Sequence, residues 1–360
     1  MNAQKKKKGA IGHIRARTVL PWKILKCKLT GARKPLVVLL YVTDRCNLKC
    51  TYCQGHWSGR KIKDYATAEI KGIVDECVGL GTVHFTIHGG EILLRDDVEE
   101  LIAYMKGRGL YVNLVTNGII FPEHIDKVRG IDSLCISLDG RETANDANRG
   151  KGSHKKIMEA IRAAKKEGFK FNVQATITAH SKGEIGYLAN LAREIGYHQQ
   201  FSLLLKPLKP DQNDIGLTED ETKSALREII HYKRAGYPIF TSYRTLNNAL
   251  NWKYPYTKAM LSVDEYARDR GAIRCYYGKL KLVIDADGFA YPCSSLNHEF
   301  KALNVRDAGV KAAFEHVVAA NTCEACYFLT QNDWSLLLGL SPRQYLAQVK
   351  IQLKEIFNLY

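Results

Sequence analysis

Residues 44–53 read Asp-Arg-Cys-Asn-Leu-Lys-Cys-Thr-Tyr-Cys, directly after an apolar run. Three thiols, Cys46, Cys50 and Cys53, therefore share one short loop. Thiolates ligate soft metals, and both a structural zinc and a cubane iron–sulfur cluster usually take four ligands. Three clustered cysteines leave one metal position open. His56 supplies a fourth ligand for one alternative, a Cys3His zinc site. Such a site usually uses two CxxC-like pairs, not CxxxCxxC on one loop. An iron with an open position is a reactive iron. A second set of thiols lies far along the chain: Cys275, then Gly288 and Cys293, then the pair Cys323 and Cys326. Four thiols make a closed ligand set for a cluster or, alternatively, a zinc hairpin. Cys27, Cys77 and Cys135 are scattered and carry no assigned chemistry; the last two fall in helix and strand patterns as small buried hydrophobes.

Positioning these loops needs a frame, and the chain from residue 36 supplies one. Strand patterns at 37–43, 82–88, 110–116, 133–138, 171–178 and 200–205 alternate with helical patterns at 64–79, 95–107, 122–128, 153–167 and 182–195. Six β/α units imply a parallel sheet with helices outside it, either an open doubly wound sheet or an incomplete barrel. In both, chemistry collects at the carboxyl ends of the strands. The polar motifs fall there: His88-Gly-Gly-Glu91, Thr116-Asn-Gly118, and Ile136-Ser-Leu-Asp-Gly140 followed by Asn145-Asp-Ala-Asn-Arg149-Gly150. Singly, each reads as a tight turn or a helix-entry loop. Past residue 206 the rhythm breaks into a loop at 206–214, a capped helix from Thr218 and an aromatic connector. A hairpin then turns at 286–288, and an amphipathic helix closes the chain over 342–360.

The cysteine loop resembles the CxxxCxxC motif of the radical S-adenosylmethionine (SAM) enzymes, with Tyr52 in the aromatic position before the last cysteine. The resemblance implies that Cys46, Cys50 and Cys53 hold a 4Fe–4S cluster whose fourth iron is chelated by SAM. The Gly89-Gly90-Glu91 stretch resembles the family's GGEP motif, which receives the SAM amino group; Ile92 stands in place of the proline. Asn117 lies in a TNG-like turn, and Ser137 and Arg149 occupy positions that contact SAM in relatives. Asn145 replaces a usual histidine. The stretch from Cys275 through Gly288 to Cys293 resembles the CX9–15GX4C opening of SPASM and twitch domains. No cysteine follows Cys326, so the truncated twitch form, with one auxiliary 4Fe–4S cluster, is the nearer pattern. Together these imply an α/β fold, a partial (β/α)6 TIM barrel with a small C-terminal twitch-type iron–sulfur domain. The implied chemistry is hydrogen abstraction by a 5′-deoxyadenosyl radical, with an oxidative outcome through the auxiliary cluster and an electron donor such as flavodoxin or ferredoxin. Ser294 stands where sulfatase-maturing relatives carry an Asp base, so no catalytic acid or base is assigned. Asp285, Asp287 and Tyr291 are candidates beside the hairpin turn.

The expected organisation is a basic segment 1–35, the barrel 36–208, a connector 209–270, the auxiliary cluster domain 271–330 and a terminal helix 331–360. The net charge of +16 is concentrated in the first segment, which carries eleven Lys or Arg and no Asp or Glu. The remainder is close to +5, which argues against a nucleic-acid groove. The mixture of Trp22, aliphatic residues and lysines in 1–35 suits an anionic membrane interface or, equally, a lid under the barrel. Pro21 is expected to break it into two short helices. No membrane-spanning run and no secretory core are present, and the cysteine usage fits a reducing compartment. A cytoplasmic enzyme, peripheral at the membrane if the first segment anchors it, is the expectation. The substrate classes left open are a ribosomal peptide or protein side chain, a small polar metabolite such as an aminocyclitol, and a membrane lipid or isoprenoid. Redox-neutral radical chemistry and a zinc-bound scaffold without catalysis are the competing readings.

Overall fold

The computed structural model describes residues 19–53, 62–204, 215–296 and 300–343. His56, residues 1–18 of the basic segment, the loop at 206–214 and the closing helix beyond residue 343 lie outside the described residues.

Strands β1 (Val37–Tyr41), β2 (His84–His88), β3 (Tyr111–Thr116), β4 (Ser133–Ser137), β5 (Phe171–Ile177) and β6 (His198–Leu203) lie side by side in sequence order, all parallel. Helices α2 (Thr67–Leu80), α3 (Val98–Gly107), α4 (Glu142–Arg149), α5 (Ser153–Lys166) and α6 (Ile185–Ile195) connect them. The strands carry period-two patterns. Phe85, Ile87, Val112, Leu114, Leu134, Ile136, Val173 and Ala175 are buried in the core under the helices. Their neighbours His84, Thr86, His88, Asn113, Cys135, Asn172, Gln174 and Gln200 line a central cavity of about 500 Å³. A parallel sheet with a polar inner face and an apolar helix-covered outer face is a partial barrel.

Two strands join that sheet beyond the six expected. β8 (Lys281–Ile284) pairs parallel with β1, and β9 (Ala290–Tyr291) pairs antiparallel with β8. The full order is β6-β5-β4-β3-β2-β1-β8-β9. The hairpin is present where the sequence placed it, and it extends the barrel sheet instead of standing apart. The gap between β6 and β8 is spanned by α11 (Leu329–Leu338). Thr330 accepts from the Gln200 amide at 3.1 Å on one side. On the other, the Lys281 ammonium lies 4.5 Å from the Trp334 ring centroid.

Residues 142–149, a loop by sequence, form α4, whose N-terminal turn stands on Arg141 in extended conformation. The connector holds α7 (Glu219–Arg234), α8 (Tyr243–Leu250), β7 (Met260–Ser262) and α9 (Val263–Arg268). α7 starts on the expected cap: the Thr218 hydroxyl accepts from Glu221 N–H, and Glu221 returns the bond to Thr218 N–H. β7 pairs antiparallel with β10 (Cys323–Cys326), and α10 (Val305–Ala320) packs on α2. Residues 19–30 are helical throughout and form α1, so Pro21 does not split the described segment. Its missing N–H would reach only toward residue 17, so no bond within the described helix is lost. Ile24 and Cys27 pack on Leu36, Val37 and Leu280, while Leu20 and Pro21 line the amino-terminal end of the cavity.

Candidate active site

The cysteine loop follows β1 and is strapped to its neighbours on three sides. Asp64 takes the Thr43 hydroxyl at 2.8 Å, Asp44 N–H at 3.2 Å and Arg45 Nε at 2.9 Å. The loop after β2 donates two backbone bonds to it, Gly90 N–H to Thr43 O at 2.9 Å and Glu91 N–H to Arg45 O at 2.7 Å. On the third side Thr51 N–H donates to Asn148 O at 2.9 Å, and the Tyr52 hydroxyl donates to Asp139 at 2.7 Å. Gly90 must be glycine: a Cβ there would lie 2.4 Å from Arg45 O and 2.8 Å from Cys46 Cβ.

The three thiols lie within electrostatic range of one another. Burial pushes the Cys46 thiol up, and Cys50 up to about 11. Asn117 bridges the strand ends, donating to Asn47 Oδ1 at 2.7 Å and to Cys46 Sγ at 3.9 Å. Glu91 is 1% exposed and saturated: it accepts from the Thr116 hydroxyl at 2.9 Å, Asn117 N–H at 2.8 Å and Leu93 N–H at 3.1 Å. Desolvation still pushes it up to about 7. Its carboxylate is committed to the β2–β3 junction, so the backbone of Gly89 and Gly90 is what this loop offers a ligand. Ser137 ends β4, half-buried.

Arg149 is spent within the protein. Its guanidinium grips both Asp139 oxygens, Nε to Oδ2 at 2.8 Å and an Nη to Oδ1 at 3.0 Å, and lies 5.5 Å from the Tyr52 ring. It therefore anchors the cysteine loop through Asp139 and Tyr52. Asn145 is likewise internal, donating to Ser153 at 2.8 Å and accepting from Asp139 N–H at 3.1 Å.

The second thiol set also comes together. Cys275 N–H donates to Glu324 O at 2.7 Å, which lays the Cys275 segment on β10. Glu324, between Cys323 and Cys326, is held by Lys279 and by Arg274 at 2.6 Å. Cys275 and Cys293 pack with Tyr277, and all four thiols are in electrostatic range of one another. Burial pushes Cys275 up to about 11 and drives Cys323 and Cys326 higher. Gln331 Nε2 stands 3.9 Å from Cys293 Sγ. Asp285 and Asp287 serve the hairpin turn, accepting from Ala286 N–H at 2.8 Å and Phe289 N–H at 3.1 Å. Among the described residues no three Cys, His, Asp or Glu side chains converge at metal-ligand spacing. The thiols form two groups, not two points. By donor chemistry the groups fit a three-thiolate and a four-thiolate cluster, with the loop around the first packed down to the glycine.

Sequence reasoning missed the cavity on the inner face of the sheet. It is walled by carboxamides, histidines and aromatic rings, and closed by α11. His84 and His88 are held neutral by burial, down to about 3 and about 4. The signal was available: His, Thr, Asn and Gln alternate with aliphatic residues along β2, β3, β5 and β6.

Residues 40–192 match the family described as "Radical SAM superfamily". The "AdoMet-dependent heme synthase" of Methanosarcina barkeri is 32% identical over 189 residues, 50% of this chain and 54% of that protein. The chain thus spans about half the length of that relative. The "Mycofactocin maturase MftC" of Mycolicibacterium smegmatis is 26% identical over 79% of this chain and 71% of its own. Streptococcus suis SuiB, in a crystal structure bound to S-adenosylmethionine, superposes with a TM-score of 0.61 at 17% identity, covering 82% of this chain and 68% of that one. This last likeness supports the fold.

Proposed function

We propose that this chain, whose residues 40–192 match the radical SAM superfamily, is an enzyme that abstracts hydrogen from a substrate held in the barrel. The observation that carries the reading is the Cys46–Cys50–Cys53 loop packed against Gly90 at the carboxyl ends of β1 and β2. In this superfamily a 4Fe–4S cluster on such a loop supplies the electron that cleaves SAM to a 5′-deoxyadenosyl radical. Cys46, Cys50 and Cys53 would hold that cluster. Gly89, Gly90, Asn117 and Ser137 border the site for SAM, and Tyr52, Asp139 and Arg149 fix the loop. The cavity mixes carboxamide and histidine side chains with a larger apolar share from aromatic and aliphatic ones, which suits a substrate with an apolar body and polar handles.

Cys275, Cys293, Cys323 and Cys326 would hold a second cluster of twitch type, which supplies a one-electron store and so favours an oxidative outcome. Likeness to a maturase supports a peptide as one substrate class. The basic, exposed face of α1 supports an anionic surface as a partner: Trp22 and Leu29 are 67% and 79% exposed.

The test is anaerobic reconstitution. The full chain should bind about eight irons and, reduced with dithionite, release 5′-deoxyadenosine and methionine from SAM. Cys50→Ala should lose that cleavage and about half the iron. Cleavage that survives in Cys50→Ala rejects the assignment.

A further inference from the structure

Among the described residues, Asp333 is the one carboxylate on the cavity wall. It is 4% exposed and hangs from α11, where its Oδ1 accepts from the Thr245 hydroxyl at 2.7 Å and Ser242 N–H at 3.1 Å. Its Oδ2 is buried and has no hydrogen-bond partner. A buried, unpartnered carboxylate oxygen is costly and is normally satisfied by something. The next residue, Trp334, lies under a buried ammonium, that of Lys281, 4.5 Å from the ring centroid. Lys281 donates to the Tyr277 hydroxyl at 2.9 Å, the one hydrogen bond its three donors make among the described residues. Opposite charges, those of Asp333 and Lys281, thus stand on the wall of one cavity, and no ion pair joins them among the described residues. Lys233 is the cation that acts on Asp333 electrostatically, its ammonium donating to Ile239 O at 2.6 Å.

We propose that the barrel cavity binds an amphoteric ligand of the amino-acid class, its carboxylate meeting Lys281 and its ammonium meeting Asp333 Oδ2. The inference rests on the reading of this cavity as the substrate chamber. Lys170 adds a second cation to the wall, and His84, Asn113, Gln174 and Gln200 offer hydrogen bonds without charge. A cation alone would face Lys281, and an anion alone would face Asp333. A ligand bearing both satisfies both. A volume of about 500 Å³ holds a free amino acid with room for a large side chain, or the end of a short peptide.

Anaerobically reconstituted full-length protein, saturated with SAM, is titrated calorimetrically with the common L-amino acids. Parallel titrations use their decarboxylated amines, their deaminated carboxylic acids, a set of tripeptides and myo-inositol. At least one amino acid or tripeptide should bind about tenfold or more tighter than the matching amine and the matching acid. Asp333→Asn should erase the preference over the acid, and Lys281→Met the preference over the amine. A purely structural disturbance weakens all ligands alike and leaves the preferences. Binding of the free amino acid or only of the tripeptide tells which source supplies the group. Binding of myo-inositol without amino acids, no binding at all, or preferences unchanged in both variants overturns the proposal. SAM cleavage by the same wild-type sample reports separately: cleavage without amino-acid binding removes this inference and keeps the enzyme, and binding without cleavage does the reverse.

Discussion

Asp139 and Arg149 form a buried ion pair in which each partner is useful only while the other is present. Arg149 is 6% exposed and Asp139 fully buried, and Asp139 also accepts from Tyr52 and from Thr176 N–H at 2.9 Å. Removing the guanidinium leaves a carboxylate without its counter-charge, which typically costs about 3–5 kcal/mol. Arg149→Met should therefore lower the unfolding free energy measured by urea titration by that order, and Asp139→Asn/Arg149→Met together should cost less than the two singly added. Additive losses would show that the pair is not coupled. Asp333 gives the residue scale a pH dependence. Burial raises it from 3.8 to about 6, against opposing bonds from Thr245 and Ser242 and the neighbouring Lys233. An acid whose folded pKa is raised favours the fold while protonated. Its contribution is full below about pH 3.8 and is lost as pH rises through about 6. The shift corresponds to about 3 kcal/mol at 1.36 kcal/mol per unit. Asp333→Asn, which keeps the bonds at Oδ1, should flatten the stability profile between pH 4 and 7; an unchanged slope there would reject this account.

At the scale of elements, the loops after β1 and β2 are built against each other, and Gly90 is the contact. Gly90→Ala puts a methyl group inside the van der Waals radius of Arg45 O, a backbone atom that cannot step aside. The variant should keep its far-UV circular dichroism, because the strands and helices do not depend on this contact. It should bind about half the iron and lose SAM cleavage. Full iron with intact cleavage would mean that the two loops pack differently. This junction was legible in the sequence because its parts are local: His88-Gly-Gly-Glu91 and the cysteine loop each end a strand with its own period-two signal. The thiol set at Cys275 to Cys326 was legible by spacing for the same reason. What escaped were contacts between distant segments. Nothing in 149–150 indicates that Arg149 turns back to Asp139, and nothing in 329–338 indicates a helix bridging β6 and β8. Helix α4 escaped because Glu142–Arg149 has too few apolar residues to show a helical period; it is held by buried polar residues such as Asn145 and Asn148.

On the scale of the whole molecule, β8 decides how many units the chain folds as. The sequence suggests a boundary near residue 271, with the barrel complete before it. In the structure β1 lies between β2 and β8, bonded in register to both: Val37 faces His84 on one side and Lys281 on the other. Leu280, Leu282, Val283 and Ile284 are all buried, from 0 to 4% exposed. Burying such a side chain stabilises by roughly 1.5–3 kcal/mol, so these four alone contribute on the order of 6–12 kcal/mol. That is comparable with the net stability of a typical domain, about 5–15 kcal/mol. α11, which closes the cavity, lies farther still along the chain. A fragment ending at residue 270 therefore keeps six strands but exposes the edge of β1, the cavity and the face beneath α2 on which α10 packs. It should show reduced near-ultraviolet circular dichroism, bind a hydrophobic dye and fail to bind SAM. The full chain should unfold in one cooperative transition whether followed by fluorescence or by circular dichroism. A fragment that stays monomeric, keeps its near-ultraviolet spectrum and binds SAM would establish that the barrel folds alone. The thiol-bearing hairpin would then be an attachment to a finished barrel, and β8 would add pairing without being required for the fold.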